Sequence, residues 1–219
     1  MNIKEKAAQI LSNSHVAVGY IERRPQDRRG SEVMELFTAI AERRSTRDFT
    51  PEPVDESTLR QLIKTATQAP SAMNEQPWHF TVVENKTVLS QISKNAKAHL
   101  LQEMAEGTHI DHFRQTLADQ TFDIFYGAPA LVVISAPAQS QWAIEDCALA
   151  AENLMLAAHA MKLGCCWIGF AQAWLGTAEG HKAIGLTEAM IPVAPIIVGH
   201  PKSAPAPVSR HEPKVHWIR

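Results

Sequence analysis

One segment limits the folds open to this chain more than any other: from Ala143 to Leu163 it is apolar on nearly every face. A surface helix carries a single apolar stripe, whereas a helix that is apolar all round has to be enclosed. The segment therefore predicts a central helix of the core, with Gly164 placed to cap its C-terminus. It does not predict a bilayer span, because Glu152, Asn153, His159 and Lys162 interrupt the run. Such a helix needs a layer to lie on. Trp78 to Val83 alternates like a strand, and Ala130 to Ser135 is a short apolar run rich in valine. Cys166 to Ile168 and Val193 to Val198 are strand-like in the same way.

The remaining helical signals sit around these strands. From Val33 the spacing Val33, Phe37, Ile40 is helical and runs into Arg43-Arg44-Ser45-Thr46-Arg47. After Pro51 and Pro53 a second helix starts at an Asp55 cap, buries Leu59, Leu62, Ile63 and Ala66, and is closed by Pro70. A further helical stretch lies between the first two strands. Helices and strands do not alternate one for one with glycine turns, so an α+β sandwich is expected rather than a doubly wound parallel sheet. No GxGxxG follows any expected strand, which leaves no dedicated dinucleotide domain. Gly164 and Gly169 have the interval of a phosphate-binding P-loop without its Lys-Ser/Thr ending. Residues 1–30 read as a leader or arm, with Ile3, Ala7, Ile10 and Leu11 ahead of a polar string from Glu22 to Gly30, and residues 31–219 read as one domain.

Charge and cysteine usage remove other classes. A formal net charge of -2 supplies no basic field, so nucleic acid is not an expected partner. Glu5 among the first lysines, and no apolar run near the start, argue against a secretory signal or transit peptide, and a cytoplasmic location follows by default. Cys147, Cys165 and Cys166 fit no disulfide framework or CxxC pattern and read as small core residues. The one close histidine pair, His109 and His112, reads as a solvated helix face, and no metal is expected.

Two polar clusters remain. Arg43, Arg44, Ser45 and Arg47 crowd three cations into five residues beside an apolar helix face. Taken alone they are a solvated helix end, where cations facing the C-terminal dipole stabilise by ~0.3–1 kcal/mol each. The stretch Pro70-Ser71-Ala72-Met73-Asn74-Glu75-Gln76-Pro77-Trp78 leads into a strand. Taken alone it is a rigid turn whose Asn74 and Gln76 bond their own backbone.

In this order and spacing the clusters resemble the nitroreductase family of FMN proteins. The resemblance is carried by Arg43-Arg-Ser-Thr-Arg47-Asp-Phe49, by Ala69-Pro-Ser-Ala-Met-Asn74-Glu-Gln76-Pro-Trp-His-Phe80 and by Tyr126-Gly-Ala-Pro129. It continues through Asp146 with Ala150-Ala-Glu-Asn153-Leu, then Gly164-Cys-Cys-Trp-Ile-Gly169, and ends on Gly199-His-Pro with Arg210. Several separated motifs in one order are a strong signal where each alone is weak.

The resemblance implies a central, mostly antiparallel sheet flanked by helices, in an intertwined homodimer with FMN at the subunit interface. It assigns the FMN phosphate to Arg43, Arg44, Ser45 and Arg210, whose guanidinium forks suit a dianion. It directs Arg47 at the pyrimidine edge of the flavin ring, where a positive charge favours the anionic reduced form. Pro70, Ser71, Ala72, Asn74 and Gln76 look like the loop that reaches the flavin of the other subunit, and Ile168 with Gly169 look like backbone donors near N5. The proline-rich tail from Pro201 is expected to wrap the partner.

The implied activity is hydride transfer from NADH or NADPH, through FMN, to nitroaromatic, quinone or similar electron-poor acceptors, with the two substrates taking turns at one site. No side chain is expected as an obligatory acid or nucleophile. A specialised enzyme of the same fold that dehalogenates, desaturates or consumes its flavin is the alternative, and a non-catalytic flavin-binding regulator is the third reading. The segment Glu84 to Phe125, which in the family roofs the flavin, carries no legible motif. Its aromatics Phe113, Phe122 and Phe125, with Tyr126, are candidates for stacking on an acceptor or for the core.

Overall fold

The computed structural model describes residues 34–104 and 113–219. The leader at 1–30, Val33, and the His109–His112 pair lie outside the described residues. Seven α-helices and four strands follow in chain order: α1 (Leu36–Glu42), α2 (Glu56–Ala66), β1 (His79–Val83), α3 (Lys86–Glu103), α4 (Arg114–Ala118), β2 (Ala130–Pro137), α5 (Ala143–Ala160), β3 (Gly164–Trp167), α6 (Gly169–Leu175), α7 (Ala178–Ile184) and β4 (Met190–Gly199). The strands form one sheet in the order β1-β2-β4-β3 with every neighbouring pair antiparallel. The central strand β2 is buried along nearly its whole length, so it reads as a continuous apolar run and not as an alternation.

Both faces of this sheet are covered. Val132, Ile134, Ala136, Ala194, Ile196 and Val198 point to one side, where Leu59, Leu62 and Ala66 of α2 meet Cys147, Ala150, Ala151, Leu154 and Ala158 of α5. Leu131, Val133, Cys166 and Ile197 point to the other, against Leu89, Ile92 and Ala96 of α3 and Ala171, Trp174 and Leu175 of α6. The result is three layers with the sheet in the middle, the α+β arrangement expected.

The expected cap of α2 is present. Asp55 accepts from the Thr58 amide at 2.8 Å and from the Ser57 and Thr58 hydroxyls at 2.5 and 2.6 Å. Those donors, Ser57 first, hold its carboxyl down at about 2. Leu59, Leu62 and Ala66 are buried and Ile63 is half-buried. The three cysteines are free and buried, and burial pushes the Cys147 and Cys165 thiols up to about 12.

Three expectations change. Gly164 does not cap α5: Lys162 takes the left-handed turn at φ 63°, with Lys162 N–H on His159 O at 2.9 Å and Leu163 N–H on Ala158 O at 2.8 Å. Gly164 opens β3 instead. Among the described residues the helix α5 is not enclosed on every side, for Ile144 and Leu149 are 63% and 46% exposed. Beside it, α1 buries Ala39 but leaves Leu36, Phe37 and Ile40 at 61%, 85% and 52% exposure. The helical spacing identified Phe37 and Ile40 as apolar positions of one helix, and no described residue buries them.

Candidate functional site

The arginine segment is fixed by backbone pairing. Helix α1 ends at Arg43, and the chain turns into extended structure along the open edge of β3. Ser45 bridges Cys165 in parallel, and Thr46 N–H donates to Cys165 O at 3.0 Å. Thr46 is buried against Gly164, where an added Cβ would lie 2.7 Å from the Thr46 side chain, so the close approach of the two strands needs glycine there. Further on, Thr50 N–H donates to His200 O at 2.8 Å and Lys202 N–H to Asp48 O at 3.1 Å. Lys202 Nζ also meets the Asp48 carboxylate at 2.8 Å.

This pairing brings the two ends of the described domain together. Arg43, Arg44, Ser45 and Arg47 line one groove with Pro205, Ala206, Val208 and Arg210, enclosing about 450 Å³. No carboxylate lines it among the described residues. Arg43 meets Glu152 of α5 at 3.7 Å, and Arg44 Nη1 donates to Ala41 O at 2.6 Å and Arg43 O at 2.8 Å. Arg44 Nε is buried with no hydrogen-bond partner. Four guanidinium groups, one orphaned buried N–H and no acid among the described lining residues give the groove a charge suited to an anion such as a phosphate monoester.

Tyr126, a candidate for stacking on an acceptor or for the core, is half-buried and stands in a left-handed turn at φ 54°. It packs edge-on against Phe122, its ring centroid 5.7 Å away. Burial pushes the phenol above its usual range, with the charge of Arg47 pulling the other way.

The loop after Pro70 lies elsewhere. Pro70 and Asn74 are exposed, and Ala72–Asn74 forms one 3₁₀ turn in which Met73 and Asn74 have φ of 53° and 56°; Gln76 follows at 50°. Asn74 and Gln76 bond each other, Gln76 Nε2 donating to Asn74 Oδ1 at 3.0 Å, and not their own backbone. Ser71 Oγ accepts from Gln76 N–H at 3.0 Å. Ala72 N–H donates at 2.9 Å to Oδ1 of Asp146, a buried carboxylate in the first turn of α5 whose Oδ2 has no partner. Glu152, which meets Arg43, lies six residues along the same helix, about 9 Å. Within one chain none of Ser71, Ala72, Asn74 and Gln76 lines the arginine groove.

Ile168 and Gly169 separate in role. Ile168 is buried and its N–H donates to Pro195 O at 2.8 Å, extending the β3–β4 pairing, so it is not the backbone donor expected. Gly169 opens α6, is exposed, and has open space where a Cβ would be. Among the aromatics, Phe125 belongs to the core. Phe122 packs edge-on against Tyr126 at 5.7 Å, and Phe113 packs edge-on at 5.5 Å against Phe170, the residue after Gly169.

Known proteins share this arrangement. The family model for the nitroreductase family matches residues 40–200. A chain of Methanothermobacter thermautotrophicus with the provisional name NADH dehydrogenase/NAD(P)H nitroreductase is 26% identical over 189 residues, 84% of this chain and 86% of that one. The crystal structure of a nitroreductase with bound FMN from Bacteroides fragilis superposes with a TM-score of 0.71 at 26% identity, covering 85% of this chain and 98% of that one. An FMN-bound nitroreductase from Desulfitobacterium hafniense gives 0.72 at 26% identity, over 84% and 98%. The matched span runs from α1 through β4 and holds the arginine segment, the Pro70 loop and the strand edge on which the groove is built, so the chain belongs to the nitroreductase family.

Proposed function

We propose that this chain is an FMN-dependent oxidoreductase that takes a hydride from NADH or NADPH and passes it to a nitroaromatic, quinone or similar electron-poor acceptor. The observation that carries the reading is the groove where Arg43, Arg44, Ser45 and Arg47 meet Arg210 with no carboxylate among them. Bound FMN would supply the redox chemistry, alternating between accepting a hydride and returning it. The chain's own residues bind and orient. Arg43, Arg44, Ser45 and Arg210 hold the phosphate, Arg44 Nε gaining the acceptor it lacks. Arg47 brings a fixed cation to the ring, and Gly169 presents a backbone beside which a flat ligand can lie without meeting a side chain.

The working unit is a homodimer in this reading. Its supports are the uncovered apolar face of α1, the open side of α5 at Ile144 and Leu149, and a tail in which Val208, Val215, Trp217 and Ile218 are all more than half exposed. Asn74 and Gln76, held away from their own chain's groove, reach the partner's. The Asp146 hydrogen bond keeps that loop in its strained form.

With no second nucleotide site, donor and acceptor use one face in turn. Initial rates varied in both substrates should give parallel double-reciprocal lines, on protein that gains a flavin spectrum when titrated with FMN. Protein that takes up no FMN refutes the cofactor reading. Intersecting lines with a ternary complex refute the single shared face.

A further inference from the structure

Helix α5 carries a charge where its pattern calls for an apolar residue. Ala143, Cys147, Ala150, Ala151 and Leu154 make its buried face at the spacing of a core stripe, and Asp146 stands among them at 2% exposure. A buried carboxylate is costly unless it is paired, and among the described residues Asp146 meets no cation. The helix dipole at that end offsets part of the cost. Its Oδ1 accepts from Ala72 N–H at 2.9 Å, and its Oδ2 has no partner. That bond reaches a loop with little else to hold it. Ala69 and Trp78 anchor the ends in the core. Between them Met73, Asn74 and Gln76 are exposed and left-handed, at φ 53°, 56° and 50°. Residues other than glycine persist there only where their surroundings determine them. Asn74 N–H and Gln76 N–H donate to the carbonyl and hydroxyl of Ser71, and Glu75 N–H to Ala72 O, each at 3.0 Å, so these bonds stay within the loop. Among the described residues the Asp146 bond is the one hydrogen bond that ties residues 71–76 to another element.

We propose that Asp146 is a positioning residue that acts on the other subunit's cofactor site: its carboxylate holds the Ala72 amide, and through it the left-handed loop that presents Asn74 and Gln76 to the partner's FMN. The proposal rests on the reading that each site is shared across a homodimer. Asp146 is buried and does not line the arginine groove, so it acts through the loop and not by contact. A lesion in α5 has two routes open to it. Glu152, six residues further on, meets Arg43 of its own chain's groove at 3.7 Å. The substitution of Asp146 therefore acts either through the loop on the partner's site or through Arg43 on its own, and the bond to Ala72 selects the first.

The experiment is FMN binding, read by fluorescence quenching, in homodimers and in isolated hybrid dimers whose two chains carry different affinity tags. Asp146→Ala should lower FMN affinity about tenfold, the size of one hydrogen bond to a charged group. Asp146→Asn keeps an acceptor for the Ala72 amide and should recover most of that loss; a loss as large as that of Asp146→Ala overturns the role of the hydrogen bond. Ala72→Pro removes the donor, behind a Ser71 already extended at φ -138° and ψ 153° as a residue before proline has to be. It should add nothing to Asp146→Ala, and it replaces that variant if Asp146→Ala does not fold. In hybrids of an Asp146→Ala chain with an Arg43→Ala chain, one site carries both lesions and the other neither, so half the sites should bind FMN as the wild type does. A substitution that merely destabilised its own chain would regain none. Hybrids with no wild-type site, where the pair of Asn74→Ala and Arg43→Ala chains does regain one, overturn this inference alone. If neither pair regains a site, the shared-site reading falls with it. Wild-type affinity in Asp146→Ala overturns the inference outright.

Discussion

Gly164→Ala tests whether the arginine groove depends on the contact between two backbone segments. The new Cβ would stand 2.7 Å from Cβ, Cγ2 and Oγ1 of Thr46, a side chain that is buried and branched at Cβ. It cannot swing away, because Cβ itself is one of the clashing atoms, and Thr46 N–H is tied to Cys165 O at 3.0 Å. The strain has to be relieved by moving the 43–47 segment off β3. Overpacking of this kind costs about 1–3 kcal/mol, which for a domain of this size lowers the melting temperature by roughly 2–12 °C. The same shift displaces Arg43, Arg44 and Ser45 from the groove, and loss of one charge-assisted bond of ~1.5–3 kcal/mol weakens FMN binding about tenfold or more. Circular dichroism melting of FMN-free protein at fixed concentration reads the first effect, and quenching of FMN fluorescence reads the second. Adding Thr46→Gly should restore both, whereas Thr46→Ala, which keeps the Cβ, should restore less. If Gly164→Ala melts and binds FMN as the wild type does, the groove does not depend on this approach and the reasoning is wrong.

Arg43→Ala and Arg210→Ala should each lower FMN affinity about tenfold or more while leaving the fold intact, and unchanged flavin content after dialysis of both would contradict the phosphate grip. Subunits carrying Asn74→Ala, mixed with subunits carrying Arg43→Ala, should form hybrid dimers in which one site holds both lesions and the other neither; if the hybrids bind no more FMN than the parents, the loop and arginines serve the same chain's site. Asp55 has a depressed folded-state pKa of about 2 against 3.8 for an unperturbed carboxyl. Its cap therefore stabilises fully above about pH 4 and is lost as pH falls through about 2. The gap in melting temperature between wild type and Asp55→Ala should close over that window, and a gap independent of pH would show that the charge plays no part.

The sequence determined the elements and their chemistry, because those follow from neighbours along the chain. The Asp55 cap, the buried face of α2, the apolar runs of β2 and β4 and the fully buried cysteines were legible from periodicity and capping residues, each of which is a local property. The ordered motifs likewise pointed to the family and to four arginines that line one groove. Spacing could not show that Arg210 meets Arg43, since that depends on Phe49 bridging Pro201 and on the 43–47 segment pairing with β3, contacts between residues more than a hundred positions apart. It gave Gly164 a cap it does not make, because a glycine after a helix looks the same whether it frees its own backbone or makes room for a threonine from another strand. It offered Ile168 as a donor, although the N–H is already spent on Pro195, which only the sheet register reveals. Tyr126 was legible as part of a motif and as an aromatic candidate, but the left-handed turn that carries it was not. A left-handed tyrosine looks like any other as a letter, and its conformation is held by the Asp123 carboxylate through the Phe125 and Gly127 amides.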